Sequence, residues 1–481
     1  MVYGMEATME LGDVTLLDSW AEAEFADADL KDARRTKRLI QLAHTFGQRP
    51  AASLPDAAQD PAMLKAAYRF FDTDAIEPSA MLASHTLSTY DRCAAVPLVL
   101  AVQDTTELDW SHHPHTKDLG PIHTKQHRGM LLHSTLAMTP EAVPLGVLHQ
   151  YCWVRDAATF GQLSDQHTRP FAEKESARWV TSVEAVNAAR QACPTTQFVV
   201  VADAEADIYE LLTTPRQAGV DLLIRAAQNR NVDDPEAQLL RDSLPQSTRV
   251  GTRMVRVSAR AGQPARDAEV TIHHRQVTFQ PPRRPATSDP PLTSVSVWVV
   301  WVVEAAPPDG VPPVEWILVT TVAVTTTAQA LTVVDWYCCR WGIEVWHKAL
   351  KSGCAIETRQ LEMAARLERC LTLFSVIAWR IVYTTMLARA CPDVPCTAIL
   401  DEEEWQALYC YIHRTTTVPP SPPSLREAVR WVARIGGFQG RTHDGEPGIM
   451  VLWKGFQHLA DLTAMYHILR PKPKRGHVGN E

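Results

Sequence analysis

Long apolar runs are missing from this chain. The longest, at 295–303 and 371–379, reach about half of the ~18 residues that a membrane helix needs, so no transmembrane span is expected. Paired cysteine spacings are missing too. The ten cysteines are scattered, with Cys338 and Cys339 adjacent and no CxxC pair, which fits neither a zinc ribbon nor a disulfide framework and reads as free thiols. Nor is there an excess of positive charge: 47 Lys+Arg stand against 55 Asp+Glu, a net −8, which argues against general nucleic-acid binding by overall charge but leaves room for a local basic stripe. The first residues carry Glu6, Glu10 and Asp13 instead of a basic region followed by an apolar core, so no secretory signal is read and the cytoplasm is the expected compartment. What is present is ordinary for a globular protein: 46% hydrophobic and 21% charged residues over 481 positions, enough for about three domains.

The first eighty residues read as helical, at 29–44 and at 61–71, where Leu64, Ala67, Tyr68 and Phe71 keep helical spacing. Within the first of these helices Lys31, Arg34, Arg35, Lys37 and Arg38 face only Asp32, which makes a local positive patch. From residue 96 the period changes. Runs at 96–103, 131–138 and 145–153 read as three strands, followed by a helix at 171–193, a buried strand at 198–202, a helix at 207–212 and a strand at 220–225. That order predicts a mixed sheet with helices on its faces. Between about 230 and 330 strand-like alternation returns, broken by proline clusters, as an inserted β-rich block. A long helix is expected from Leu331 through Lys351, then another to Ala390. Ser424 with Glu427 is a capping-box spacing that opens a last helix ending at Gly436 and Gly437.

The densest chemistry lies at 336–351, WYCCRWGIEVWHKALK. On an unbroken helix at about 100° per residue, Arg340, Glu344, Lys348 and Lys351 fall within roughly 60° of Tyr337, with Trp341, Gly342 and Val345 turned the other way. A solvated helix face would carry the same mixture of charges, so periodicity alone leaves this open. Two aspartates add weight. Asp104 ends the apolar run in LVLAVQDTTEL and Asp203 ends that in FVVVADAEADIY. A carboxylate at the end of a buried strand loses solvation unless it meets a cation, although a turn-forming aspartate is the alternative at either place taken singly. Two such ends on neighbouring strands, with Glu344 on a helix nearby, supply the oxygen donors that two divalent cations require.

At this point the chain resembles a family. Tyr337, Arg340, Glu344 and Lys351 carry the spacing of the YREK signature of bacterial insertion-sequence transposases, in the branch of the transposon-five transposase. DARRTKRL at 32–39, AAYRFF at 66–71, QDTTELD at 103–109, EKESARW at 173–179, DAEADIY at 203–209, EWILVTT at 315–321 and RIGGF at 434–438 look like family blocks in family order. Ala204 departs from the pattern, which tends to have Arg there.

The resemblance implies an α/β protein with an RNase H-like mixed-sheet catalytic core and the inserted β-rich block, flanked by helical domains. The expected division is 1–80 for DNA binding, 81–370 for catalysis with the block at about 230–330, and 371–481 for dimerisation. Asp104, Asp203 and Glu344 fall on the catalytic triad and would hold two Mg²⁺ (or Mn²⁺) ions. Tyr337, Arg340, Lys348 and Lys351 would contact DNA phosphates near the scissile bond. Trp316, which sits in an apolar strand and could equally be core packing, would stack on an unpaired or flipped base. Lys31, Arg34, Arg35, Lys37 and Arg38 would bind the transposon end. The expected partners are double-stranded DNA, both the terminal repeats and the target, and a second copy of the chain in a synaptic complex, without a membrane. The implied reaction is nicking, hairpin formation and opening, then strand transfer.

A metal-dependent nuclease of the same fold that cuts without joining, and a catalytically silent DNA-binding dimer, are the competing expectations. A glycosidase is more distant, because the basic companions of Glu344 suit phosphate better than sugar. His112, His113, His115, His123, His127 and His133 cluster in sequence without a familiar ligand spacing and read as loop polar residues.

Overall fold

The computed structural model describes residues 20–161, 169–257, 264–283 and 289–469. Helices α1 (Trp20–Phe25), α2 (Ala33–Gln48), α3 (Leu54–Ala58), α4 (Pro61–Phe71) and α5 (Pro78–Ala94) come first. Strands β1 (Leu98–Asp109), β2 (Gly120–Pro121), β3 (Arg128–Met138) and β4 (Pro144–Trp153) follow. Then come α6 (Ala177–Ala192), β5 (Gln197–Ala202), α7 (Tyr209–Thr213), β6 (Val220–Arg225), the short α8 (Leu240–Ser243), and strands β7 (Thr248–Val257), β8 (Arg266–Phe279), β9 (Val295–Glu304) and β10 (Glu315–Thr320). The chain continues with α9 (Thr327–Cys339), α10 (Trp341–Lys348), α11 (Ala364–Ala390), α12 (Glu402–His413), α13 (Leu425–Ile435) and α14 (Ile449–Leu469). These elements form two compact units. One contains residues 1–88, 112–118 and 345–481, the other 89–111 and 119–344.

The second unit is built on one ten-stranded sheet in the order β2-β3-β1-β5-β6-β10-β9-β8-β7, with β4 also paired to β3. Among the described strands the parallel pairs are β1–β5 and β5–β6. Their apolar stretches, such as Phe198 to Ala202, are buried throughout, as strands covered on both faces must be. The β-rich block of residues 248–304 continues this same sheet, because β10 pairs antiparallel with both β6 and β9. Strand β7 forms the outer edge and carries Arg249, Arg253 and Arg256, of which Arg253 reaches Asp335 of α9 at 2.5 Å.

The first unit is all-helical around α11. A helix apolar on every side has to lie inside. Although α11 is long and apolar enough to span a membrane, 83% of its most apolar window is buried within the protein. Phe374 stacks on Phe46 of α2 at 5.8 Å and Trp379 meets His85 of α5 at 4.7 Å. Two buried arginines fasten the N-terminal helices to this core. Arg359 donates to the carbonyls of Pro50, Ala52 and Cys354, and Arg369 donates to those of Phe71 and Ile76. The expected capping box at Ser424 and Glu427 opens α13. Helices α13 and α14 then approach backbone to backbone. A Cβ on Gly436 would stand 1.9 Å from the Val451 carbonyl oxygen, and one on Gly455 2.0 Å from that of Val432.

The long helix expected from Leu331 to Lys351 is not continuous. It begins earlier, at a capping box of Thr326 and Gln329, and tightens at Arg340, where the Arg340 N–H turns back to Tyr337 and the Ile343 N–H to Arg340. After Lys348 it widens into a π-helical turn, Ala349–Gly353, closed by the Cys354 N–H on Ala349. A single polar stripe over five residues therefore does not exist, because each change of pitch resets the phase. Trp341, expected on the inner side, is 51% exposed, whereas Gly342 is pressed against Met138.

Candidate active site

The parallel ladder between β1 and β5 ends with Gln103 opposite Ala202. Asp104 and Asp203 are the next residue on each strand, so the register alone brings two carboxylates side by side where the sheet's buried part stops. Strand β1 does not end at Asp104, as the sequence suggested, but runs on to Asp109 against β3. This continuation fixes Asp104 inside a paired strand. Asp203 sits at the start of a 3-10 turn, Ala204–Ala206, where its carboxylate accepts the Glu205 N–H at 2.9 Å.

Burial pushes the Asp104 carboxyl up to about 7, and the charges of Asp203 and Glu344 add to the rise, against Arg340 and the Thr105 N–H. Those contributions place Glu344 and Arg340 within electrostatic reach of the aspartates. Glu344, on the first turn of α10, accepts from Arg340 at 2.6 Å in an i,i+4 pair. The Arg340 guanidinium lies 6.0 Å from the Tyr337 ring, and Tyr337 is packed 5.6 Å from Trp316 of β10. Burial raises the Tyr337 hydroxyl above its usual range, opposed by Arg340 and by Arg225, to which it is hydrogen-bonded. Asp104 and Asp203 are thus neighbours by register, and Glu344, Arg340, Tyr337 and Trp316 form a continuous run of side-chain contacts. Trp316 is only half-buried, which leaves part of the ring available.

The remaining candidates lie in the helical unit. Lys348 is exposed, and Lys351, in the π-helical turn, is ion-paired with Glu357 at 3.4 Å. Lys31 stands before α2 with a left-handed backbone, while Arg34, Arg35, Lys37 and Arg38 occupy the helix's first turns. Cations there oppose the helix dipole. Asp32, the N-cap, offsets them: hydrogen bonds from the Arg34 side chain and N–H hold its carboxyl down at about 2.

Three site residues escaped the sequence reading. Arg225 ends β6, and the carboxyl end of a parallel strand beside β5 was the signal that could have found it. Asp207 accepts from the N–H groups of Ala227 and Gln228 at 2.7 Å and from Arg230, and so ties the loop after β6 to the turn after β5. Arg178, in the EKESARW block, bonds Thr105. His133 is not a loop residue. It is buried in β3, bonded to Thr105 and packed on Trp179.

Among the described residues no group of three His, Cys, Asp or Glu side chains stands together so as to hold a metal ion. The donor set still suits a hard divalent cation. It offers three carboxylates, and Asp104 resists ionisation first because of its burial and then because of the charges of Asp203 and Glu344, a penalty that a cation beside it would offset.

A mixed sheet with three central parallel strands, an acid within the first, an acid directly after the second and a third acid on a following helix is the RNase H-like architecture. Residues 104–379 match the model of the transposase DDE domain, residues 17–76 that of the transposase DNA-binding domain, and residues 376–470 that of the transposase Tn5 dimerisation domain. The chain belongs to the Tn5-like DDE transposases. It is a DNA transposase, a family that is generally dependent on divalent metal, with domains for binding DNA and for pairing with a second copy.

Proposed function

We propose that the protein moves an insertion sequence by cut-and-paste transposition, with Asp104, Asp203 and Glu344 holding two Mg²⁺ or Mn²⁺ ions. The observation that supports this reading is the β1–β5 register, whose last pair, Gln103 and Ala202, puts Asp104 and Asp203 at adjacent positions. Bound there, such ions supply activation of the attacking oxygen and stabilisation of the leaving one. The protein's own groups do the rest by position. Tyr337 and Arg340 hold phosphate of the DNA strand, Arg340 with a planar fork, and in the helical unit Lys348 and Lys351 meet DNA phosphates as point charges. Arg340 is paired with Glu344 in the free protein and would be available to phosphate where that carboxylate is neutralised. Trp316 offers its half-open ring to an unpaired base. The cations at the start of α2 hold the transposon end, and phosphate beside a helix N-terminus relieves their mutual repulsion. The order of steps is nicking, hairpin formation, hairpin opening and strand transfer, carried out by two copies of the chain in a synaptic complex, within the cytoplasm.

The test uses Asp104→Ala, Asp203→Ala and Glu344→Ala with a labelled 3′-end. Each variant should lose cleavage and joining in Mg²⁺ yet bind the end within a few fold of wild type. Cleavage within tenfold of wild type removes that residue from the set. Cleavage by the wild type without a joined product makes the protein a nuclease.

A further inference from the structure

We propose that Arg178 is a positioning residue that sets the spacing of Asp104 and Asp203 from the far face of the sheet. The inference rests on the metal-holding role given above to those two aspartates. The ladder between their strands has its last paired residues at Gln103 and Ala202, directly before the two aspartates. Two neighbouring carboxylates repel, and Arg178, near the start of α6, bridges the segments that carry them with one guanidinium. Its Nε donates to Thr105 Oγ1 at 3.0 Å and its Nη2 to Glu205 at 3.3 Å, while Nη1 donates to the Glu175 carbonyl at 2.9 Å.

Thr105 is the residue after Asp104. Glu205 is the residue whose N–H is bonded to Asp203. Side chains alternate along a strand, so Thr105 points away from the face that Asp104 serves, and Arg178 reaches the site from behind. The clamp is itself immobilised. The Arg178 side chain is 11% exposed and lies 5.5 Å from the Trp153 ring and 5.3 Å from that of Trp179. Thr105 Oγ1 is also bonded to His133 Nδ1 at 2.9 Å, which fixes its rotamer. Arg178 thus acts through Thr105 and Glu205, and the charge of Asp203 is felt at its guanidinium.

Removing the clamp should loosen the ion site without touching the DNA-binding surface. The full-length protein without DNA would be titrated with Mn²⁺ by electron paramagnetic resonance, and cleavage, end binding and thermal unfolding would be followed in parallel. Arg178→Met should weaken Mn²⁺ binding at least tenfold and raise the Mn²⁺ needed for half-maximal cleavage by the same factor, with end binding within twofold. Arg178→Lys should recover most of the loss. Thr105→Val, which removes the acceptor and keeps the charge, should weaken Mn²⁺ binding about threefold and decides the matter where Arg178→Met does not fold. Unchanged Mn²⁺ affinity in Arg178→Met, or in a folded Thr105→Val, overturns the proposal, as does a loss of end binding as large as the loss of metal binding. Asp203→Asn separates the two readings. If it too leaves Mn²⁺ binding intact, the assignment of the carboxylates fails. If it abolishes binding and the Arg178 variants do not change it, only the clamp fails.

Discussion

Asp104→Asn should abolish cleavage and yet make the metal-free protein more stable at pH 8. In an unfolded chain this carboxyl ionises near its ordinary 3.8, whereas in the folded protein burial, and then the charge of Asp203, carry it to about 7. Between those values the folded state keeps a proton that the unfolded chain has released. Stability therefore falls as pH rises through the window, and above about 7 the whole penalty is present. A difference of that size corresponds to about 4 kcal/mol, and solvent reaching a side chain that is not completely covered brings the expectation to about 2 kcal/mol. The neutral amide keeps the shape and bears no such penalty. Thermal unfolding in a chelator should give the variant a midpoint roughly 4–8 °C higher at pH 8. The gap should narrow steadily as the pH falls below about 7, with more than a third of it left at pH 5, and the two midpoints should converge only near the unfolded value of 3.8. Adding Mg²⁺ at pH 8 should raise the wild type and leave the variant where it was. Equal midpoints at pH 8, or a gap that persists unchanged at pH 5, would refute the reasoning.

Other expectations concern the helical unit. Replacing Arg34 and Arg35 with Ala should weaken end binding and flatten its salt dependence by up to about two units of slope, at about 0.9 per lost phosphate contact; an unchanged slope in a gel-shift titration moves the recognition surface elsewhere. Lys351→Ala should slow one step after end binding by about 10- to 100-fold, the worth of a charge-assisted phosphate contact of roughly 1.5–3 kcal/mol. Single-turnover kinetics on a pre-nicked end would read it, and wild-type rates there would leave Lys351 as a partner of Glu357 only. Gly436→Ala sets a methyl against the Val451 carbonyl, which cannot swing aside as a side chain would, and should cost about 1–3 kcal/mol or more. Sedimentation and thermal melting should show weaker pairing of two copies and a lower midpoint, and wild-type behaviour in both would mean that α13 and α14 have room to part.

The candidate site could be proposed from the sequence because its two aspartates follow buried apolar runs. Apolar stretches such as FVVVA announce a covered strand, and a carboxylate directly after one is conspicuous. The strand order and the capping box at Ser424 were legible for similar reasons, since period and cap spacing are local properties. What failed was whatever depends on tertiary contact. The break at Arg340 and the π-helical turn after Lys348 leave no mark in the hydrophobic period. The passage of β1 beyond Asp104 is stabilised by β3, not by its own residues. Arg178 and Arg225 could not be singled out because arginine is common, and only the folded sheet shows that one reaches Thr105 and the other Tyr337. Asp207 was hidden in plain view next to Asp203, its task being to accept main-chain N–H groups that are invisible in a sequence.

Strand β10 has a consequence for the way the protein is made. It alone among the described strands joins the parallel part of the sheet to the antiparallel meander, and it leaves the ribosome late: Arg225 and Glu315, which are bonded across the β6–β10 seam, are 90 residues apart. Until β10 is synthesised, β6 and β9 each present an unpaired edge, and the nascent chain holds two half-sheets that could recruit the wrong partner. The arginines on β7 protect the outer rim throughout, but nothing comparable guards the seam. The strand that closes this gap also delivers Trp316, and α9 and α10 with Tyr337, Arg340 and Glu344 follow at once. Both aspartates are therefore in place well before Glu344 arrives, so a chain released early would have a sheet open at its middle and lack the third of the acids proposed to act on DNA.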